Sequence, residues 1–381
     1  MDKSNPLYIC FNDLEDPRQD RHSSRHLLSD ILMLTILAVL CGADGWVAVE
    51  RFGESKKAWL KTFLELPHGI PSHDTIGDFF SRVNPLKLQD CFLKWVRMIF
   101  KLSDGEIIAI DGKTLRHSYD TASDRPAIHM VSAWACQSRL VVGQVKTDEK
   151  SNEITAIPGL LKLLELKGNI VTIDAMGCQK KIAKEIIDQE GDYVFNLKGN
   201  QSTLHEDVKL FIESHIDNKQ LQNIKFDMTE IVDGDHGRIE TRRYWITDKI
   251  SWLPQAKNWP GLTSVGMVEY EQIEKATGET QVERRCFISS LEAKAEPFAQ
   301  AVRMHWGIEN GLHWCLDVGF NEDACRVRKD VAPENFAIIR HIAMNLLKQE
   351  STAKVGIKNK RLMAGWDNRY LAKLLNLRKI D

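Results

Sequence analysis

The sequence predicts an α/β protein. An all-helical N-terminal domain covers residues 1–104, and a mixed sheet with an antiparallel first half covers 105–345, interrupted by a β-rich insertion near 224–290. A basic C-terminal tail, 346–381, completes it. Three observations predict this layout. Apolar residues recur only at helical spacing up to residue 104. Beyond it, short apolar strands alternate with helices. Near 224–290 the pattern turns to paired strands before helical spacing resumes.

In the first domain, "HLLSDILMLTILAVL" carries an eleven-residue apolar run, Ile31 to Cys41, interrupted only by Thr35. It is too short to span a bilayer and suits a buried helix, broken at Gly42 and Gly45. "PSHDTIGDFFSRV" offers Ser72 as an N-cap ahead of Ile76, Phe79, Phe80 and Val83, and "PLKLQDCFLKWVRMIFKL" starts a further helix at Pro85. From residue 105, "EIIAID" reads as a strand ending in Asp111. "AIHMVSAWACQSRLVVGQVKTD" reads as a hairpin, and "IPGLLKLLELKG" as a helix closed by Gly168. "NIVTID" is a second apolar strand, ending in Asp174. A helix closed by Gly191, the strand "DYVFNLKGN" and a helix over Ser202–His215 follow. The insertion carries Asp-Gly and Thr-Gly hairpin signals. "EPFAQAVRMHWGIENGLHWCL" is helical again, and no internal repeat is visible.

The net charge of −2 favours no class of partner, but residues 326–381 hold thirteen Lys or Arg against five Asp or Glu. That local surplus of about +8 fits a solvated helical tail or a phosphate-facing patch equally well. Eight cysteines without a C-x-x-C argue against a disulfide framework or structural zinc and point to a reducing cytoplasm. His305 and His313 with Cys315 and Cys325 lack zinc-finger spacing. Nothing in the first residues resembles a secretory signal, and no membrane partner is expected.

The chemistry centres on carboxylates. A single aspartate after a short apolar strand is ordinarily a turn or capping residue. Two of them on strands that should be neighbours repel unless a cation sits between them or one is protonated, and hard divalent ions accept such oxygens. Glu309 lies on a helical stripe with His305 and His313 at i, i+4 spacing, beside a packed side marked by Trp306, Leu312 and Trp314 or Cys315. Spacing alone reads Glu309 as a solvated helix glutamate, with Asp317, Glu322 and Asp323 as competing acids. Two rival readings of "IDGKT" fail. A phosphate-gripping loop needs glycine where Ile107 stands, and an aspartyl-phosphate enzyme needs an acid where Ala109 stands.

With "IIAIDGKTLRHS", "IVTIDAMGCQKKIA", "FNLKGNQ" and "HWGIENGLHWCLDVGFNEDACRVR" side by side, nearly the whole chain resembles the DDE transposases of bacterial insertion sequences, closest to the H-repeat-associated group. The resemblance implies an RNase H-like catalytic domain with Asp111, Asp174 and Glu309 as its catalytic and metal-holding acids. It also implies two Mg²⁺ ions about 4 Å apart, with Mn²⁺ able to substitute, clamping the attacking and leaving oxygens of a phosphodiester. Water would free a 3′-hydroxyl at the element end, and that hydroxyl would attack target DNA. Implied partners are double-stranded DNA, both terminal repeats and target, bound by a homodimer in the cytoplasm at the nucleoid. Lys113, Arg116, Lys198, Arg303, Arg326 and Arg328 are candidate DNA contacts. Trp306 and Trp314 either stack on an end base or pack in the core, core packing being the ordinary role. Related families place a Tyr, an Arg and a Lys around the glutamate. Here the positions four before, seven before and seven after Glu309 are His305, Val302 and Leu316, with Arg303 and Arg326 as candidate substitutes. Two other functions share these features: a DNA-binding derivative without turnover, and a metal-dependent nuclease without strand transfer.

Overall fold

The computed structural model describes residues 4–377 apart from 19–24, 103, 122–123, 148–152, 218–223 and 235–236. Helices come first. In α1 (Pro6–Phe11) the Asn5 side chain accepts the Leu7 N–H at 2.9 Å. The helix α2 (Leu28–Leu40) holds the long apolar run, and its residues from Asp30 to Leu40 are buried. A helix apolar on every side belongs in the middle of a helical layer, and α2 sits there. Next to it packs α3 (Trp46–Ser55), and α4 (Lys57–Leu60), α5 (His73–Arg82) and α6 (Pro85–Ile99) follow in the chain. Ser72 caps α5 by accepting the Thr75 N–H, and Asn84 caps α6 ahead of Pro85.

The sheet follows. Its first part comprises β1 (Ile107–Thr114), β2 (His129–Ala135), β3 (Leu140–Lys146), α7 (Glu153–Leu161), β4 (Ile170–Ile173), α8 (Lys180–Asp188), β5 (Asp192–Leu197) and α9 (Ser202–Asp217). Then come β6 (Asp227–Asp233), β7 (Arg238–Thr247), β8 (Ser264–Glu274) and β9 (Thr280–Ser289). The strand order is β3-β2-β1-β4-β5-β9-β8-β7-β6. Strands β1 to β3 are antiparallel, whereas β1, β4 and β5 are parallel. This is the RNase H-like mixed sheet that the resemblance implied.

The β-rich insertion continues the same sheet outward, because β9 pairs with β5 (Val194 opposite Ser289, Leu197 opposite Cys286). Two expectations change. Strand β1 does not stop at Asp111; it runs on to Thr114, paired with His129 of β2. What ends there is the parallel pairing, whose last step is Ile110 with Ile173. Helix α7 begins four residues before the expected Ile157 and ends at Leu161, so Gly168 closes the turn into β4 instead. The turn residues 235–236 of the first inserted hairpin lie outside the described residues.

After the sheet run α10 (Ala295–His305), a π-helical turn (Glu309–His313), α11 (Trp314–Phe320), α12 (Ala332–Gln349), α13 (Ile357–Trp366) and α14 (Asn368–Leu374). Helix α12 joins the two layers. Asn335 donates to the Phe80 and Val83 carbonyls at 2.8 Å, while Asn345 exchanges two hydrogen bonds with Val141 of β3. Residues 346–377 are therefore not a loose basic tail. Arg361 is buried and donates to the Val39 carbonyl, and the Asn5 amide donates to the Leu375 carbonyl at 2.7 Å. The tail residues 378–381 lie outside the described residues. All eight cysteines are free. Among the described residues no helix is long and apolar enough to cross a membrane.

Candidate active site

The parallel pairing of β1 with β4 brings their ends level, so Asp111 and Asp174 follow a shared register step. Both line one cavity of about 280 Å³, together with Glu309 and with Thr172, Asn196, Lys198, Arg285, His305 and Trp306. The strand ends of β1, β4 and β5 form its floor, and α10 with the π-turn forms its wall.

Asp174 serves two ends. Its Oδ1 accepts the N–H groups of Met176 at 3.0 Å and Gly177 at 3.2 Å, making the turn that an isolated aspartate would be expected to make. Asp111 accepts the Gly112 N–H at 2.9 Å through Oδ1. Its side chain is only 20% exposed. Burial pushes its carboxyl from 3.8 up to about 7, and the negative charges of Glu309 and Glu153 push the same way, against the pull of the Gly112 N–H. Among the described residues no Lys or Arg lies at ion-pair distance from it.

Glu309 is half-exposed and stands on the π-turn rather than on a continuous helix: the Trp314 N–H reaches back five residues to the Glu309 carbonyl. The turn presses on the sheet at Gly311, where a Cβ would come within 3.0 Å of Trp134. The turn also delivers His313, whose Nδ1 lies 3.7 Å from Asp111 Oδ2 and 3.5 Å from Glu309 Oε2. One atom from each of these three side chains lies within 4.8 Å of the others. Burial holds the His313 imidazole below its usual range, and Glu309 opposes the shift. Its Nε2 is buried without a hydrogen-bond partner among the described residues. His305 is likewise lowered by burial, and its Nδ1 is within 3.0 Å of Thr172 Oγ1.

The competing acids are occupied elsewhere. Lys113 Nζ sits 2.5 Å from Asp317, 3.0 Å from Asp323 and 3.3 Å from Glu322, whose other oxygen is 3.4 Å from buried Arg340. Lys113 is thus the hub of an internal ion cluster, not the open phosphate contact expected of it. Of the six expected DNA contacts, Lys198 alone lines the acidic cavity. Arg116 is exposed beside Asp323. Arg303 lies 3.6 Å from Asp233 and faces an adjoining cavity of about 520 Å³ that also holds Arg242, Tyr270, Arg285 and Trp306. Arg326 and Arg328 line a different cavity, against α3 and α5. Arg328 donates to the His117 carbonyl and stacks over Tyr119.

Sequence reasoning placed Trp306 and Trp314 in the core, yet they are 50% and 60% exposed. Of the side expected to pack, Leu312 and Cys315 are the residues that are buried. Trp306 stacks under the Arg285 guanidinium, 5.4 Å from its ring centre. Arg285 was missed because it belongs to β9, and only the β5–β9 pairing carries it to the cavity. The i, i+4 stripe in the sequence already sets His313 beside Glu309, but only the β1–π-turn contact brings it to Asp111.

Residues 102–346 match the family model described as "Transposase DDE domain", and residues 8–96 match the DDE_Tnp_1-associated model. A protein of Escherichia coli named "H repeat-associated putative transposase YhhI" is 46% identical over 353 residues, 92% of each chain. The protein YbfL of the same organism is 45% identical over the same share of both chains. The structure of a piggyBac transposase synaptic complex with hairpin DNA aligns with 97% of this chain and 77% of that one, at 11% identity and a TM-score of 0.42, too faint to carry weight.

Proposed function

Since the chain belongs to the DDE transposase family, we propose that it is a DNA transposase that cuts at insertion-sequence ends and joins them to target DNA. The observation that carries this reading is the meeting of Asp111, Asp174 and Glu309 in one cavity whose rim holds Lys198 and Arg285. Carboxylates so placed bind cations, and the basic rim suits the phosphates on either side of a scissile bond.

The donor set fits a divalent ion. Asp111 is a buried carboxylate next to a second acid, with its carboxyl pushed up to about 7, the state of an acid that gains from a nearby positive charge. Asp111, Asp174 and Glu309 would hold Mg²⁺, or Mn²⁺ in its place, and bound ions would polarise the phosphoryl oxygens and activate water. Lys198 and Arg285 neutralise the non-bridging phosphate oxygens and set the backbone in register. Trp306, held under Arg285, offers an exposed ring face to a base next to the cut. In the first step water attacks the phosphodiester and frees a 3′-hydroxyl. In the second that hydroxyl attacks target DNA, so no covalent bond to the protein forms. Joining two ends calls for two copies of the chain on DNA.

The test is strand cleavage and joining on double-stranded DNA carrying the element's terminal repeats, with Mg²⁺ and then with a chelator. Metal-dependent nicks followed by joined products are expected, lost in Asp111→Asn, Asp174→Asn and Glu309→Gln. A protein that shifts this DNA but never nicks it under any divalent ion is a binding derivative. Nicks without joined products mean a nuclease.

A further inference from the structure

We propose that His313 is a nitrogen ligand of one bound cation, so that the Asp111–Glu309 side of the site is a mixed carboxylate–imidazole set that favours Mn²⁺ over Mg²⁺. The proposal rests on the metal-site reading above and adds a ligand to it. Three observations lead there.

The first is spacing. His313 Nδ1 stands 3.5 Å from Glu309 Oε2 and 3.7 Å from Asp111 Oδ2. Those distances are long for good hydrogen bonds. Ligands that each lie about 2.1 Å from one ion stand roughly 3–4 Å from each other; His313 stands at that spacing from both acids, and all three side chains offer atoms within 4.8 Å of one another. Asp174 lies outside this close group but lines the same cavity, and suits the second ion.

The second is that His313, 5% exposed, is buried with one ring nitrogen, Nε2, unpartnered among the described residues. A buried imidazole without a hydrogen bond is costly as a packing residue. Here the other ring nitrogen, Nδ1, faces two carboxylates.

The third is rigidity. The π-turn packs on Trp134 at Gly311 and buries its own Leu312, which holds the ring in place before any ion arrives. Mg²⁺ prefers oxygen ligands, while imidazole suits transition-metal ions, so a His-containing set shifts the preference towards Mn²⁺. The other imidazole in the cavity is His305, whose Nδ1 is within 3.0 Å of Thr172 Oγ1 and which lies outside the close group of three.

The experiment measures Mn²⁺ and Mg²⁺ binding to the full chain without DNA, using calorimetry and pulsed EPR of bound Mn²⁺, for wild type, His313→Gln and His305→Gln. Wild type should show nitrogen coupling to Mn²⁺, lost in His313→Gln and kept in His305→Gln. His313→Gln should weaken Mn²⁺ by about 10–100-fold, and Mg²⁺ by much less. Wild-type Mn²⁺ without nitrogen coupling overturns the assignment even if neither variant folds. So does coupling that survives His313→Gln, or equal losses for both ions. Wild type that binds neither ion removes the metal-site reading itself, and this ligand with it.

Discussion

Asp111→Asn should stabilise the metal-free protein at neutral pH. In the folded chain burial lifts this carboxyl from 3.8 to about 7, so holding it ionised costs folding free energy. At about 1.4 kcal/mol per pH unit the shift gives a ceiling of roughly 4 kcal/mol, and partial solvent access brings the expected gain to about 2–4 kcal/mol. Asparagine keeps an oxygen for the Gly112 N–H, so the one short bond at this position survives. The sign follows from proton binding. Between 3.8 and about 7 the folded state holds more protons than the unfolded state, so wild-type stability falls as pH rises through that window. Wild type and variant should therefore melt together near pH 4 and diverge to a plateau near pH 8. For a chain of this length the gap is a rise in Tm of about 3–5 °C. The assay is thermal or urea denaturation in chelator from pH 4 to 8, repeated with saturating Mg²⁺. The ion should raise the wild-type midpoint and leave the variant nearly unmoved. A variant less stable than wild type at pH 8 in chelator would refute the reasoning, as would a gap that ignores pH.

Three further outcomes are expected. Glu350 is buried, which alone would raise its carboxyl, but hydrogen bonds from Thr352, Lys373 and Ala353 hold it well below 4.5. Its contribution is present above pH 4.5 and lost on acidification, so Glu350→Gln should destabilise at pH 7 and match wild type in acid, read by urea midpoints. Lys113→Met leaves Asp317, Asp323 and buried Glu322 without their shared cation and should cost about 3 kcal/mol by denaturation at pH 7. The partners raise the Lys113 pKa, so this contribution persists through neutral pH and fades only above about 10.5. Gly112→Ala would place a Cβ 2.1 Å from Glu153 Oε1 and 2.4 Å from His129 Nε2, prising apart their 2.7 Å contact. A loss of about 1–3 kcal/mol should appear in its denaturation curve, and an unchanged midpoint would show that the two side chains swing away freely.

The legible parts of the molecule share one property: their partners are local or their burial is total. Ile31–Cys41 announces a buried helix because no polar face interrupts it, and "IIAI" and "IVTI" announce neighbouring buried strands for the same reason. Asp111 and Asp174 follow those strands and need no further information to meet. Glu309 is different. A helical glutamate looks the same whether it faces water or a strand end, and the π-turn that aims it needs glycine against Trp134, a contact across 177 residues of sequence. Arg285 needed the β5–β9 register, which no local pattern encodes.

Charge shows the limit most sharply. The basic surplus after residue 326 read equally as a solvated helical tail or a surface for phosphates, yet Arg340, Lys360 and Arg361 from that surplus are buried. Arg361 shows what such charges do inside. A helix leaves its last carbonyls unpaired, and α2, apolar all round, has no side chain of its own to meet them. The Arg361 guanidinium meets the Val39 carbonyl at 2.7 and 2.9 Å, the Ala43 carbonyl at 3.3 Å and the Asp44 carboxylate at 3.2 Å. Its cation thus closes the C-terminal end of the most apolar helix in the chain. Composition counts that arginine towards DNA, whereas the helix end it satisfies lies more than three hundred residues upstream and makes it part of the core.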